Sequence, residues 1–218
     1  MPHDLPAPII YQITNGQATT QTLAVDTERL LSLVRAAVRA RVSLIQLREK
    51  NLPARALYEL TARAAAVTAH TATRLLVNDR ADIAHAAGAD GVHLTTRSLK
   101  AEVVRRAFGA DFLIGVSTHT LSEAREARDG GADFAVFGPV FETPSKNSYG
   151  APVGLEALRA AAETINPFPL IALGGIALEN AASAIKAGAR GVAAIRALSD
   201  SEKLEATVRA MRGEAKLL

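Results

Sequence analysis

The chain contains no cysteine and no tryptophan, and its 218 residues include only 3 Tyr, 6 Phe and 2 Met. Without cysteine there is no disulfide framework, thiolate nucleophile or cysteine metal site, and a cytoplasmic location is the default expectation. Aromatic residues make up 4%, which leaves little to stack on nucleobases. Lys and Arg are interspersed with Asp and Glu, so the net charge of +3 forms no basic stripe for nucleic acid, although it suits anionic small molecules. Long apolar runs are missing too. No window approaches the roughly 18 uninterrupted apolar residues of a membrane span. The opening MPHDLPAPII lacks the basic region and apolar stretch of a secretory signal. We therefore expect no nucleic-acid partner and no membrane. What the chain does have is 49% hydrophobic content against 22% charged, enough for a substantial core. No linker or low-complexity segment divides residues 1–218, so one domain is expected.

Two periodicities alternate along the chain. Apolar runs short enough for strands fall at 8–14, 42–48, 75–77, 91–94, 112–116, 134–137, 170–173 and 191–195. Between and after them, apolar residues at helical spacing mark 27–40, 53–70, 81–87, 99–108, 121–129, 154–164, 178–187 and 201–212. Runs such as LIALG and FAVFG are apolar on both faces, as required where helices cover one face and a packed barrel interior the other. Eight βα units in this length point to an α/β fold, a single (β/α)8 TIM barrel; a doubly wound open sheet is the competing architecture.

A barrel places its chemistry at the C-terminal ends of the strands and in the loops that follow. Gln46, Arg48 and Lys50 are spaced by two and share one face of an extended chain, with a guanidinium fork and an ammonium suited to phosphate oxygens. Asn78 and Asp79 end the third strand, where Asp79 could instead cap the following helix. His93 ends the fourth, and Ser117 and His119 the fifth; such histidines are commonly packing residues. After the sixth strand, Thr143, Ser145 and Lys146 put two hydroxyls and a cation in four residues, which suits an anionic oxygen, though a plain solvated loop could carry them as well. Gly174 and Gly175 follow strand seven, where glycine lets backbone N–H groups and a helix N-terminus meet a phosphate; Ile195 and Arg196 after strand eight complete such a site.

The ordered set QLREK, VNDRADIA, GADGVHL, GVSTHTLSEA, FGPVFETPSK, IALGGI and GARGVAAI resembles the thiamine phosphate synthase and thiazole tautomerase superfamily over nearly the whole chain. The resemblance implies coupling of hydroxymethylpyrimidine diphosphate to a thiazole phosphate with release of pyrophosphate, so the expected partners are small phosphorylated substrates. It implies that Arg48, Lys50, Asn78 and Lys146 hold the diphosphate, that Gln46 and Ser117 lie by the pyrimidine, and that Asp79 ligates Mg²⁺. Thr143 and Ser145 would lie by the reacting groups, with Gly175 at the thiazole phosphate.

The chain also departs from the synthase pattern. Where synthases read GQEDL, Thr95-Thr96-Arg97-Ser98-Leu99 stands here, so the second Mg²⁺ carboxylate is missing at Ser98. Arg196 replaces a small serine, and ETPSKNSYGAPVGLEAL resembles the tautomerase branch. In that branch the enzyme aromatises a thiazole carboxylate phosphate without coupling, and His119, at a strand end and of the residue type whose unperturbed pKa lies near neutrality, is the candidate proton shuttle. Retention of Lys50, Asn78 and Asp79 favours coupling, since one carboxylate with phosphates and water can hold Mg²⁺. A non-catalytic thiazole or thiamine phosphate-binding regulator is the third reading. A homodimer is left open.

Overall fold

The computed structural model describes residues 5–143 and 151–214, so Ser145 and Lys146 lie outside the described residues. Among the described residues the order is β1 (Ile9–Ile13), α1 (Leu23–Arg39), β2 (Leu44–Leu47), α2 (Ala54–Thr68), β3 (Arg74–Asn78), α3 (Ala81–Ala86), β4 (Gly91–Leu94), α4 (Ala101–Phe108), β5 (Leu113–Thr118), α5 (Leu121–Asp129), β6 (Phe134–Phe137), α6 (Gly154–Ile165), β7 (Leu170–Leu173), α7 (Leu178–Lys186), β8 (Gly191–Ala194) and α8 (Leu204–Met211). The strands form a closed barrel in sequence order. The expected (β/α)8 barrel is therefore the fold, and no described helix is long and apolar enough to cross a membrane. By contacts the chain divides into two compact units, one built on Tyr11–His93 and the other on Leu94–Ala194.

A repeated local device ends α3, α5 and α7 and starts the strands after them. The sequence reads GAD at 88–90, GAD at 131–133 and GAR at 188–190. Gly88, Gly131 and Gly188 have φ of 75°, 83° and 99°, the left-handed conformation that glycine adopts without a Cβ clash. Each is followed by an amide reaching back five residues, Ala89 to Ala84, Ala132 to Ala127 and Ala189 to Ala184, which is the wrapping bond that closes a helix C-terminus. The aspartates then grip the preceding strand. Asp90 accepts from the Leu75 amide at 2.7 Å and Asp133 from the Ile114 amide at 2.7 Å. In the Leu94–Ala194 unit this grip is reinforced by Arg105, which pairs with Asp133 at 2.7 Å. Arg105 also donates to the carbonyls of Gly109, Ala110, Phe112 and Gly131.

Several element ends differ from the periodic reading. α1 begins earlier than the expected residue 27, because its first turn is polar and exposed: Thr22 bonds to Asp26 at 2.5 Å and Val25 is 75% exposed. The expected helix from residue 99 starts only at Ala101, and Leu99 is exposed. β5 runs on through Ser117 and Thr118, which pair with Val136 and Phe137 of β6. Hydroxyl-bearing residues continued a strand that hydrophobicity alone would have ended.

Candidate active site

In the Tyr11–His93 unit the site begins at the end of β2. Gln46 is fully buried and its amide donates to the Tyr11 hydroxyl at 2.8 Å, so it sits below the strand end rather than at the surface. The Tyr11 ring lies 5.8 Å from that of His93. Burial holds the Tyr11 hydroxyl well above its usual pKa, offset in part by the Gln46 bond. Burial also drives His93 down to about 3, with the nearby Arg48 charge adding to the effect. His93 is thus a neutral, packed histidine.

Arg48 is half-buried and Lys50 exposed. The Arg48 amide donates to the Thr14 hydroxyl at 2.8 Å. Between them in sequence, Glu49 is only 2% exposed, and its carboxylate accepts from the amides of Gly16 at 3.3 Å and Ala18 at 2.9 Å. Sequence reading missed Glu49 and Thr14. The signal for Glu49 was its place between Arg48 and Lys50, which sends its side chain to the opposite face.

At the end of β3, Asn78 is nearly buried. Asp79 adopts φ 63°, an uncommon conformation for a residue with a side chain, though one that Asp tolerates. Its amide is held by the His93 carbonyl at 2.9 Å, and the residue is exposed. The capping alternative does not hold, because Arg80 occupies the cap position of α3 and no side chain caps it. Arg80 is engaged with Asp82 through two hydrogen bonds. Among the described residues the Asp79 carboxylate therefore makes no hydrogen bond or ion pair, and it fits a divalent cation that also takes substrate phosphates and water. No cluster of three or more His, Asp or Glu suited to a metal occurs among the described residues. Ser98, where a second carboxylate would stand, has its hydroxyl within hydrogen-bonding distance of both the Thr95 amide at 2.8 Å and the Thr95 hydroxyl at 3.0 Å.

In the Leu94–Ala194 unit, Ser117 is half-buried on β5. His119 follows the strand. Its amide donates to Glu123 at 2.5 Å, the residue that also completes the capping box of α5 with Thr120. Nδ1 of His119 faces the Gly138 carbonyl, which fixes the proton on that nitrogen in the neutral ring. Thr143, half-buried, is the last described residue of the β6 loop.

Gly174 and Gly175 have φ of 96° and 63°. A Cβ on Gly174 would meet Pro139 at 2.4 Å, and one on Gly175 the Glu142 carbonyl at 2.4 Å. These glycines are thus required by the loop after β6, whose Val140 and Phe141 amides bond to Leu173 and Gly174. This is a packing reason that the expectation of a phosphate cradle did not include. The cradle is compatible with it: the amides of Gly175 and Ile176 donate to no described residue. In the other unit, Ile195 is half-buried and Arg196 exposed, in a turn closed by Ser199 donating to the Arg196 carbonyl.

The decisive comparison is over the length of the chain. Residues 10–198 match the family described as thiamine monophosphate synthase. The chain belongs to that family. It is 42% identical over 203 residues to a thiamine-phosphate synthase of Roseiflexus sp. (strain RS-1), covering 93% of this chain and 83% of that protein. It is 43% identical over 182 residues to a thiamine-phosphate synthase of Moorella thermoacetica, covering 84% and 86%. Among solved structures it resembles the thiamine phosphate pyrophosphorylase from Pyrococcus furiosus, with a TM-score of 0.76 at 30% identity over 95% of this chain and 99% of that one. Membership in the thiamine monophosphate synthase family thus agrees with the resemblance read from the seven motifs.

Proposed function

We propose that the chain, working as one domain, is a thiamine-phosphate synthase that joins hydroxymethylpyrimidine diphosphate to a thiazole phosphate and releases pyrophosphate. The observation that carries this reading is the Asp79 carboxylate, which makes no hydrogen bond or ion pair among the described residues and is held by an unusual backbone conformation at the end of β3, in a chain whose relatives bear that activity in their names. In the reaction the bond from the pyrimidine methylene carbon to the diphosphate oxygen breaks, its electron pair leaving with pyrophosphate. The thiazole nitrogen then donates its lone pair to that carbon. No enzyme nucleophile is needed, which agrees with the absence of cysteine. The chain's task is to neutralise the leaving group and orient two substrates.

Arg48 offers a bidentate fork to the diphosphate, Lys50 and Lys146 compact charges, and Asn78 an amide. Gln46 and Ser117 would contact the pyrimidine, and Thr143 and Ser145 the reacting groups. The Gly174 and Gly175 turn, Ile195 and Arg196 would hold the thiazole phosphate. Mg²⁺, held by Asp79, would supply further charge neutralisation on the departing phosphates. The test is incubation of the purified protein with both substrates and Mg²⁺, reading thiamine phosphate; no product at any Mg²⁺ concentration sinks the reading. One observation favours the tautomerase instead. Ser98 supplies no second carboxylate and is engaged with Thr95, which leaves His119, with Nδ1 at the Gly138 carbonyl, as the group that would move a proton. Conversion of the thiazole tautomer without coupling would identify that branch, and binding without either conversion a regulator.

A further inference from the structure

A carboxylate shielded from water is costly unless it is paired or hydrogen-bonded. Glu49 is buried at 2% exposure with no ion pair among the described residues, and its side-chain partners are two backbone amides of a single loop, Gly16 and Ala18. A carboxylate that accepts from two alternate amides, one on each oxygen, while the Gln17 amide between them turns to Asn15, ties that loop to the end of β2. The loop in turn lies on Arg48. A Cβ on Gly16 would stand 2.8 Å from the Arg48 carbonyl and 3.1 Å from Nη1 of its guanidinium. Two more ties close the same arrangement: Thr14 accepts the Arg48 amide, and Asn51 donates to the Gly16 carbonyl at 3.4 Å. Asn15 and Gln17 brace the loop from within.

We infer that Glu49 is a positioning residue that acts through Arg48. By clamping residues 16–18 against the end of β2, it holds the guanidinium in the orientation that receives the diphosphate. The inference rests on the reading of Arg48 as a diphosphate ligand. Replacing the carboxylate with an amide turns one accepting oxygen into a donor facing an amide N–H, which releases the loop without removing volume. A side chain displaced by about an ångström can cost on the order of 100-fold in rate.

The experiment is a double-mutant cycle on the full chain with Glu49→Gln, Arg48→Lys and the pair, measuring kcat, KM for the pyrimidine diphosphate and inhibition by pyrophosphate. We expect Glu49→Gln to lower kcat/KM by roughly 10-fold to 100-fold and to weaken pyrophosphate inhibition. In the Arg48→Lys background the same change should alter either by no more than about twofold, because coupled residues are non-additive. Equal losses in both backgrounds would mean a merely structural role and overturn the inference. So would a Glu49→Gln enzyme at the wild-type level when Arg48→Lys is impaired. Arg48→Lys at the wild-type level would instead remove Arg48 from the site. If Glu49→Gln does not fold, Gly16→Ala disturbs the loop from the other side and takes its place in the cycle with the same outcomes.

Discussion

Lowering pH tests the buried histidine directly. In the native protein His93 stays neutral down to about 3 because it is buried, with the Arg48 charge as a second cause. In the unfolded chain it titrates near 6.5. The folded pKa is the lower one, so as pH falls the unfolded state takes up the proton first. The contribution to stability is complete above about pH 6.5 and declines as pH drops towards 3. Between roughly pH 7 and pH 5 this one site should remove about 2 kcal/mol of unfolding free energy. Asp26 and Asp82, whose pKa values are lowered chiefly by hydrogen bonds from Thr22 and Arg80 respectively, lose stability mainly below about pH 4, so a scan into stronger acid does not isolate His93. The comparison that does is urea denaturation of the wild type and of His93→Gln at both pH values. The variant should lose about 2 kcal/mol less over the interval. Parallel losses would refute the argument and mean that the ring already takes a proton in the folded state.

The other expectations each concern one residue. Lys146→Ala should cost roughly 2.7–4 kcal/mol in turnover while leaving the melting temperature unchanged, as for loss of one donor to a developing anion; a near wild-type rate would take Lys146 out of the site. Ser98→Asp should lower the Mg²⁺ concentration for half-maximal rate, since a second hard oxygen anion favours the ion, and a Mg²⁺ titration without any shift would exclude this position. Arg105→Met should destabilise the fold by about 2–3 kcal/mol in chemical denaturation, because it leaves Asp133 and several carbonyls without their common donor. Gly191→Ala should cost more than about 3 kcal/mol in the same measurement, because the new Cβ would sit 2.1 Å from the Ile9 carbonyl.

The barrel was legible because its strands are apolar on both faces: FAVF of β6 is buried at every position. Spacing by two singled out Gln46, Arg48 and Lys50, of which only Gln46 lies within β2. It did not reveal that Gln46 bonds to Tyr11, since that partner lies on another strand. The alternative that Asp79 caps α3 failed for a related reason: composition names the residue types that cap helices, while the backbone turn decides which of them is positioned to do so. Glu49 was hidden by its neighbours' charges. A carboxylate in a charged run reads as solvated, and only the loop returning from β1 buries it.

The contact between Ile9 and Gly191 also bears on how the molecule assembles. The Ile9 amide reaches the Arg190 carbonyl at 3.0 Å, joining positions separated by almost the entire sequence. Loop-closure entropy makes such a pairing late and slow compared with the neighbouring βα units, whose contacts are local. During synthesis the first strand must wait, one edge unsatisfied, until the eighth has emerged. Until then it is a surface for chaperones or for a second chain to occupy.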